Sequence, residues 1–545
     1  VNEEALRLRR AIPDTWEAFL GRFARPTPIQ RVAIPVLAEG GDALVVAPAA
    51  SGKTEAAVAP LCQRLLRAPP APGPRFLYVV PTRALANDIE VRLREPCSTL
   101  GIRVALRTGD RPADLAGRET DLLVTTPESL DSILCRYPDR FAGLQALVLD
   151  EVHLLHRTCR GEQTRILLRR LQRWHCANPV QRVAISATAG DAAALGAWLL
   201  GHPVPVLETQ QARLLFFWYA ESIDEALRML RREGLTKALW FCNSRRRAED
   251  VARVLAQKGP WPPERVLVHH ASLSRRVREE AERAFRRYDA CLMVATSTLE
   301  WGVDVGNIDA VVLVGAPDSV ASLIQRVGRG CRRQQGMRAI GLCEDEDERG
   351  RFEELLRRLE QPRTASESES HLAPAVAVQQ VFSVLYGQPA GVGRQELLDL
   401  LGVMGPREDL EEILDHLVRL EWIVPRGVER FQASTRLMDL GERGRIHSNL
   451  GDESLVQVVD AATGRPLGQV PADMADEGQI SLGGRCWIVA ARKGNQVRVV
   501  PSGPDAEGRP FPGRVSRHPF SRLLPERLQA GFPEPGTREP PAAAR

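Results

Sequence analysis

The chain has 545 residues, 44% hydrophobic and 26% charged, with 73 basic against 69 acidic side chains and a net charge of +4. That length is a prior for roughly three to four domains with ordinary cores, and the near balance of charge excludes any inference of nucleic-acid binding from bulk charge alone. The ten cysteines contain no C-x-x-C pair, no apolar run reaches the ~18 residues of a membrane span and no signal-peptide pattern opens the chain, so neither a zinc site nor a disulfide framework is indicated and a soluble protein in a reducing cytoplasm is the expectation.

Five short apolar runs, at 43–46, 76–80, 122–125, 146–149 and 182–185, alternate with helical patterns, which predicts a parallel sheet covered by helices. The first run leads into Ala47-Pro-Ala-Ala-Ser-Gly-Lys-Thr54, and a helix-like run follows from Glu55. This is a phosphate-binding loop: the backbone N–H groups of Ala50, Ser51 and Gly52 and the helix N-terminus cradle phosphates, Lys53 neutralises them, and the Thr54 hydroxyl holds Mg²⁺. Lysine occurs only at Lys53, Lys237, Lys258 and Lys493, so Lys53 reads as selected for its compact charge.

The run at 146–149 ends in Asp150-Glu-Val-His153, two carboxylates at the carboxyl end of a predicted strand, where open α/β sheets bind ligands. Asp150 is the candidate Mg²⁺ holder, and Glu151 the base that orients and deprotonates the attacking water. Ser186-Ala-Thr188 ends the fifth run with hydroxyls suited to bonding the acidic segment. His153 has two readings of equal weight, packing against that hydroxyl segment or coupling two lobes.

A second series of runs at 238–242, 265–268, 291–295, 310–314 and 339–343 predicts a second lobe of the same kind, with a hinge near His202-Pro-Val-Pro205 and a linker over 361–370. Beyond it, Leu410, Ile413, Leu414, Leu417 and Leu420 recur at helical spacing, followed by strand-like Trp422-Ile-Val424 and 430–433, the pattern of a winged helix. From Ser454 short Val-rich runs with turns at Gly464, Gly483-Gly484 and Gly494 predict a compact β-domain. The expected fold is therefore α/β: two tandem RecA-like parallel-sheet lobes (1–207 and 208–362), a winged helix (372–435), a small β-rich C-terminal domain (436–532) and a disordered tail (533–545). Trp487 is a candidate for stacking on a base against the favoured packing role, and His269-His270, adjacent on a strand, point to opposite faces, which favours structural roles over a metal pair.

Between about Phe23 and Cys343 these segments fall in a collinear order that resembles superfamily 2 helicases with a DEVH box. Gly52-Lys-Thr-Glu-Ala-Ala57, Thr126-Pro-Glu-Ser129, Asp150-Glu-Val-His153 with Arg160-Gly-Glu-Gln-Thr164, and His269-His-Ala-Ser-Leu-Ser274 are most similar to its large helicase-related (Lhr) branch. The resemblance implies that Gln30, in Phe23-Ala-Arg-Pro-Thr-Pro-Ile-Gln30, reads the adenine edge. It further implies that Pro81, Thr82, Arg83, Gly109, Asp110, Thr126 and Pro127 of the first lobe, with Asn243, Ser244, Arg245, Thr296 and Ser297 of the second, hold the nucleic-acid backbone. Gly302 and Asp304 would line the nucleotide cleft, and Arg329 and Arg332 would act as arginine fingers beside Gln325. Gly330-Cys331-Arg332 departs there from the family's usual G-R-x-G-R ending.

The function so implied is an ATP- and Mg²⁺-dependent helicase, monomeric, tracking on single-stranded DNA from 3′ to 5′ and unwinding DNA or RNA:DNA duplexes. Two other readings remain: an ATP-driven nucleoprotein remodeller, and a nucleic-acid-sensing ATPase subunit of a defence or repair complex that works with an accessory nuclease or repair partner.

Overall fold

A computed structural model describes residues 3–23, 25–48, 51–109, 120–187, 191–209, 214–259, 261–299, 307–318, 320–330, 336–360, 373–427, 429–449, 455–472, 478–483, 485–502 and 518–529. The predicted linker at 361–370, the tail at 533–545, and Ala50, Asp110, Thr188, Gly302, Asp304 and Arg332 lie outside these residues. The chain forms two compact units, each discontinuous in sequence: one from the described residues of 1–210, 364–451 and 514–545, the other from those of 211–363 and 452–513.

The first unit is built on an all-parallel sheet of β1 (Ala43–Val46), β2 (Phe76–Val79), β3 (Val104–Arg107), β4 (Leu122–Thr125), β5 (Ala146–Leu149), β6 (Gln181–Ser186) and β7 (Val206–Glu208), in the order β3-β4-β2-β5-β6-β1-β7. Every residue of β1, β2, β4 and β5 is buried, as a parallel sheet covered on both faces requires. The second unit repeats the plan with β8 (Leu214–Ala220), β9 (Lys237–Cys242), β10 (Val266–His269), β11 (Cys291–Ala295), β12 (Ala310–Val314) and β13 (Gly336–Leu342), ordered β10-β11-β9-β12-β13-β8 and again all parallel. The predicted runs are all present, and β3, β7 and β8 are additions to them.

The winged helix belongs to the first unit. Helices Ala373–Gly387, Arg394–Leu401 and Arg407–Arg419 surround a small sheet of β14 (Val392–Gly393), β15 (Ile423–Arg426) and β16 (Arg430–Ala433), ordered β14-β16-β15. Phe382, Leu397, Leu414 and Ile423 share one apolar core with Ile166 of the first lobe. Leu437, Ile446, Phe520 and Leu524 lie in that same core, so 436–449 and 518–529, assigned from sequence to the β-rich domain, pack with the winged helix instead.

The remaining strands, β17 (Leu455–Asp460), β18 (Pro466–Pro471), β19 (Gln479–Leu482), β20 (Arg485–Lys493) and β21 (Gln496–Pro501), form a sheet ordered β18-β17-β21-β20-β19 within the second unit. Its Val456, Val470, Ile480 and Leu482 join Leu273, Val251 and Leu255 of the second lobe in a single core. Trp487 is in this core, 6% exposed, with its indole N–H donated to the Leu482 carbonyl at 2.9 Å. With both ring and polar handle committed, the packing role accounts for Trp487 and the base-stacking role is set aside. Among the described residues no helix is long and apolar enough to cross a membrane.

Candidate functional site

The order of strands sorts the candidate residues of the first lobe into two groups along one edge of the sheet. The phosphate loop follows β1, the hydroxyl segment follows β6 and the acid pair follows β5, and these strands are neighbours. Pro81-Thr-Arg83 follows β2, Gly109 follows β3 and Thr126-Pro127 follows β4, and these too are neighbours. The carboxyl edge thus carries nucleotide chemistry at one end and the predicted strand grip at the other.

At the nucleotide end, Gly52 takes φ 82°, and the helix Lys53–Arg67 starts directly after it. A Cβ at Gly52 would lie 2.4 Å from Gln30 Nε2, so the loop needs glycine both for its backbone and for the approach of Gln30. Gln30 forms a capping box with Thr27 at the start of helix Pro28–Glu39: Gln30 Oε1 accepts from the Thr27 N–H at 2.9 Å. Its Nε2 donates to the Gly52 carbonyl at 3.3 Å, which ties the predicted adenine reader to the phosphate loop.

Lys53 and Thr54 are buried, and Lys53 Nζ donates to Glu151 Oε1 at 2.9 Å. Glu151 adopts the left-handed conformation (φ 50°, ψ 45°), a strained state for a residue with a Cβ that costs on the order of 1–3 kcal/mol and is held here at the site. Asp150, also buried, is fixed at both oxygens: the Tyr78 hydroxyl donates to Oδ2 at 2.6 Å and the Glu151 N–H to Oδ1 at 2.8 Å. Burial first, and the Glu151 carboxylate second, push Asp150 up to about 6. His153 shares a hydrogen bond with Ser186 Oγ at 3.2 Å, and burial, reinforced by Lys53, lowers it to about 4, so it is a neutral partner of the hydroxyl segment at pH 7. That contact is the one the packing reading of His153 expects.

Thr54 and Asp150 offer a hydroxyl and a carboxylate, hard oxygen ligands of the kind Mg²⁺ takes, and the crowded acid pair at 150–151 is an environment that a divalent cation would relieve. Ser51 Oγ is buried with no hydrogen-bond partner among the described residues, in a loop shaped for phosphate oxygens. The donor set fits the group that the sequence predicts.

At the grip end, Thr82 and Thr126 cap helices Arg83–Thr99 and Pro127–Arg136, accepting from Leu85 N and Ser129 N, which turns the two helix N-termini toward this edge. The Arg83 guanidinium lies against Gly109, where a Cβ would be 2.7 Å from Nη2. In the second lobe, Asn243-Ser244-Arg245 follows β9, Thr296-Ser297 follows β11 and His269–Ser274 closes β10, again on neighbouring strands. Asn243 uses both ends of its amide inside the protein, accepting from Arg326 Nη1 at 2.7 Å and donating to the Ala316 carbonyl at 2.8 Å, so it pins β9 to the segment after β12. Ser244 caps helix Arg245–Lys258, and Thr296 is buried while Ser297 is exposed. Gln325 lies on helix Val320–Val327 and Arg329 is buried just beyond it. His269 and His270 face different carboxylates, Glu282 at 2.9 Å and Glu249 at 2.6 Å, which confirms their structural roles.

Sequence reasoning missed Tyr78, Arg326 and Glu249. Tyr78 carried a signal, being the one residue with a polar group in the run Phe76–Val79.

This combination of lobes and motif positions is that of superfamily 2. A DEAD/DEAH box helicase model matches residues 27–195, and a helicase conserved C-terminal domain model matches 220–334. The ATP-dependent helicase Lhr-Core of Methanocaldococcus jannaschii is 28% identical over 89% of this chain and 62% of its own length, and the Lhr helicase/uracil glycosylase of Escherichia coli is 27% identical over 94% of this chain and 39% of its own. The chain belongs to the superfamily 2 helicases and is similar to their Lhr-like branch, and it spans less than two thirds of the length of either relative. The structure of Mycobacterium smegmatis helicase Lhr bound to ssDNA and AMP-PNP is similar at a TM-score of 0.69 and 27% identity, over 81% of this chain and 62% of that one. The DUF1998 helicase MrfA, bound to DNA and AMPPNP, shares the fold at a TM-score of 0.72 and 21% identity, over 90% of this chain and 72% of that one.

Proposed function

We propose that the chain is an ATP-dependent helicase that translocates on single-stranded DNA from 3′ to 5′ and unwinds DNA or RNA:DNA duplexes, with ATP and Mg²⁺ as cofactors. The observation that carries this reading is the division of one sheet edge between a phosphate-loop and acid-pair end and a capped-helix end. The same division in the second lobe and the likeness to an Lhr structure with ssDNA and AMP-PNP support it.

Lys53 is the pivot of the chemistry. It holds Glu151 by an ion pair, and a nucleotide's phosphates compete for that ammonium. Their arrival transfers Lys53 to the phosphate oxygens and frees Glu151 to take a proton from the attacking water. Thr54 and Asp150 would hold Mg²⁺, which supplies charge neutralisation on the phosphates. Arg329 and Arg332 contribute the guanidinium charge that stabilises the transferred phosphoryl group, with Gln325 beside them, while Gly302 and Asp304 serve the nucleotide.

The deciding experiment is unwinding of matched DNA:DNA, RNA:DNA and RNA:RNA duplexes with either tail polarity. Unwinding of the 3′-tailed DNA and hybrid substrates is expected; exclusive action on RNA:RNA, or on 5′ tails, would overturn substrate or direction. Glu151→Gln is expected to lower strand-stimulated ATP turnover by roughly 10²-fold or more while ATP binding persists. Near-wild-type turnover would remove Glu151 as the base.

A further inference from the structure

The β-rich domain reaches the strand grip of the second lobe through the segment after β10. Ser274 N–H donates to the Leu467 carbonyl and Gln469 N–H to the Ser272 carbonyl, both at 2.7 Å, and Leu273 bridges Gly468 in antiparallel fashion. Residues 272–274 are thus captured as an added strand on β18. The fit needs glycine: a Cβ at Gly468 would lie 2.1 Å from the Ser272 carbonyl oxygen. A second tie runs from the Gly483 N–H to buried Glu249 Oε1 at 2.6 Å, and that oxygen also bonds His270.

The captured segment carries a hydroxyl that meets an arginine. Arg245 Nη1 donates to Ser272 Oγ at 3.0 Å. In the cluster Arg245-Arg-Arg247 the other two guanidinium groups face carboxylates, Arg246 with Asp250 and Arg247 with Glu344, whereas Arg245 has no carboxylate partner among the described residues. A hydroxyl fixes a guanidinium without cancelling its charge. Arg245 is therefore both exposed and oriented, the state suited to gripping a phosphate at low entropic cost.

We propose that the β-rich domain is a splint for the second lobe's strand grip, holding Ser272 so that its hydroxyl presents Arg245 to a nucleic-acid phosphate, with Ser272 a positioning residue. The proposal rests on the helicase reading above.

The test uses the full chain, a fluorescent single-stranded DNA oligonucleotide for affinity, and strand-stimulated ATP hydrolysis. Ser272→Ala is expected to raise the strand Kd roughly three- to tenfold, the effect of releasing one ordered side chain, with kcat at saturating strand and KM for ATP unchanged. Arg245→Ala weakens binding at least as much, and adding Ser272→Ala to it costs nothing further. Gly468→Ala, which displaces the Ser272 carbonyl, should reproduce the weaker binding. Unchanged affinity in Ser272→Ala, or a fully additive loss in the double variant, would overturn the splint while leaving the helicase reading standing. Failure of the wild-type chain to bind any strand would overturn both.

Discussion

The winged helix and the β-rich domain are consecutive in sequence, yet they are fastened to different lobes by different chemistry. The winged helix is held by a buried side-chain network: Asp131 on helix Pro127–Arg136 takes Arg170 at 2.7 Å, Gln163 at 3.0 Å, Gln380 at 2.9 Å and the Ser383 hydroxyl. The β-rich domain is held by main-chain bonds to residues 272–274 and by a continuous apolar core. A network of this kind depends on the identity of each side chain, because one lost partner strands a buried charge; a main-chain seam depends on shape and tolerates most substitutions. Both modules share a core with their lobe, so removing residues 372–545 exposes apolar surface on both units at once.

The sharpest way to break the comparison is to remove the arginine of the network. Burial alone would raise the Asp131 carboxyl, but His447, Arg170 and Ser383 outweigh it and hold the group well below the usual carboxylate range. Arg170→Met deletes a guanidinium donor from a fully buried carboxylate. The expected cost is about 3–5 kcal/mol, read by denaturant unfolding of the full chain with a probe in the first unit. A loss under about 1 kcal/mol would show that the apolar core, and not the network, fastens the winged helix.

A smaller effect separates the two seams by pH. His518, on the segment that returns to the winged helix, accepts from the Phe520 N–H at Nδ1 and meets Asn449 Oδ1 at Nε2, a pair of bonds that specifies the neutral ring. Burial lowers it from 6.5 to about 4. A depressed histidine contributes its full stability above the unfolded value of 6.5 and loses it as pH falls from there through about 4, so the segment should be weaker by about 2 kcal/mol at pH 5. Hydrogen exchange between pH 7 and 5, corrected for intrinsic rates, is expected to show residues 518–529 loosening in the wild type and not in a His518→Asn variant. Equal loosening in both would assign the effect elsewhere.

Legibility from sequence followed the same division. Every missed strand of the two lobes and the winged helix lies at a sheet edge: β3 and β7 bound the first sheet, β8 bounds the second and β14 bounds the sheet of the winged helix. Edge strands are buried on fewer sides, and the half-exposed Val104 and Ala105 of β3 and the three residues of β7 leave little apolar signal; β8, with Leu-Leu-Phe-Phe-Trp-Tyr-Ala, carried a clear one. The nucleotide residues were readable because phosphate loops and acid pairs need fixed residue types next to strand ends. Asp131 with Ser383, or Ser272 with Arg245, were not, since each pair is joined only by tertiary packing and neither partner is unusual in its local run. The return of 518–529 to the winged helix was hidden for the same reason: Phe520 and Leu524 are apolar residues whose destination no local pattern states.

The smallest expected effect concerns the face of the winged helix itself. Helix Arg407–Arg419 exposes Glu408 and Asp415, with Asp409, Glu411 and Glu412 half-buried among them, a surface that repels phosphate. Arg527, on the returning segment, bonds Asp409 and Glu412 there. Although these bonds raise the Arg527 guanidinium, the side chain is solvent-exposed and screening leaves such pairs little net value. Arg527→Ala is therefore expected to change neither unfolding midpoint nor strand affinity measurably, in contrast to Arg170→Met within the same unit. A large drop in either would mean that the acidic face needs its arginine, and would move the fastening of the winged helix from the buried network to its surface.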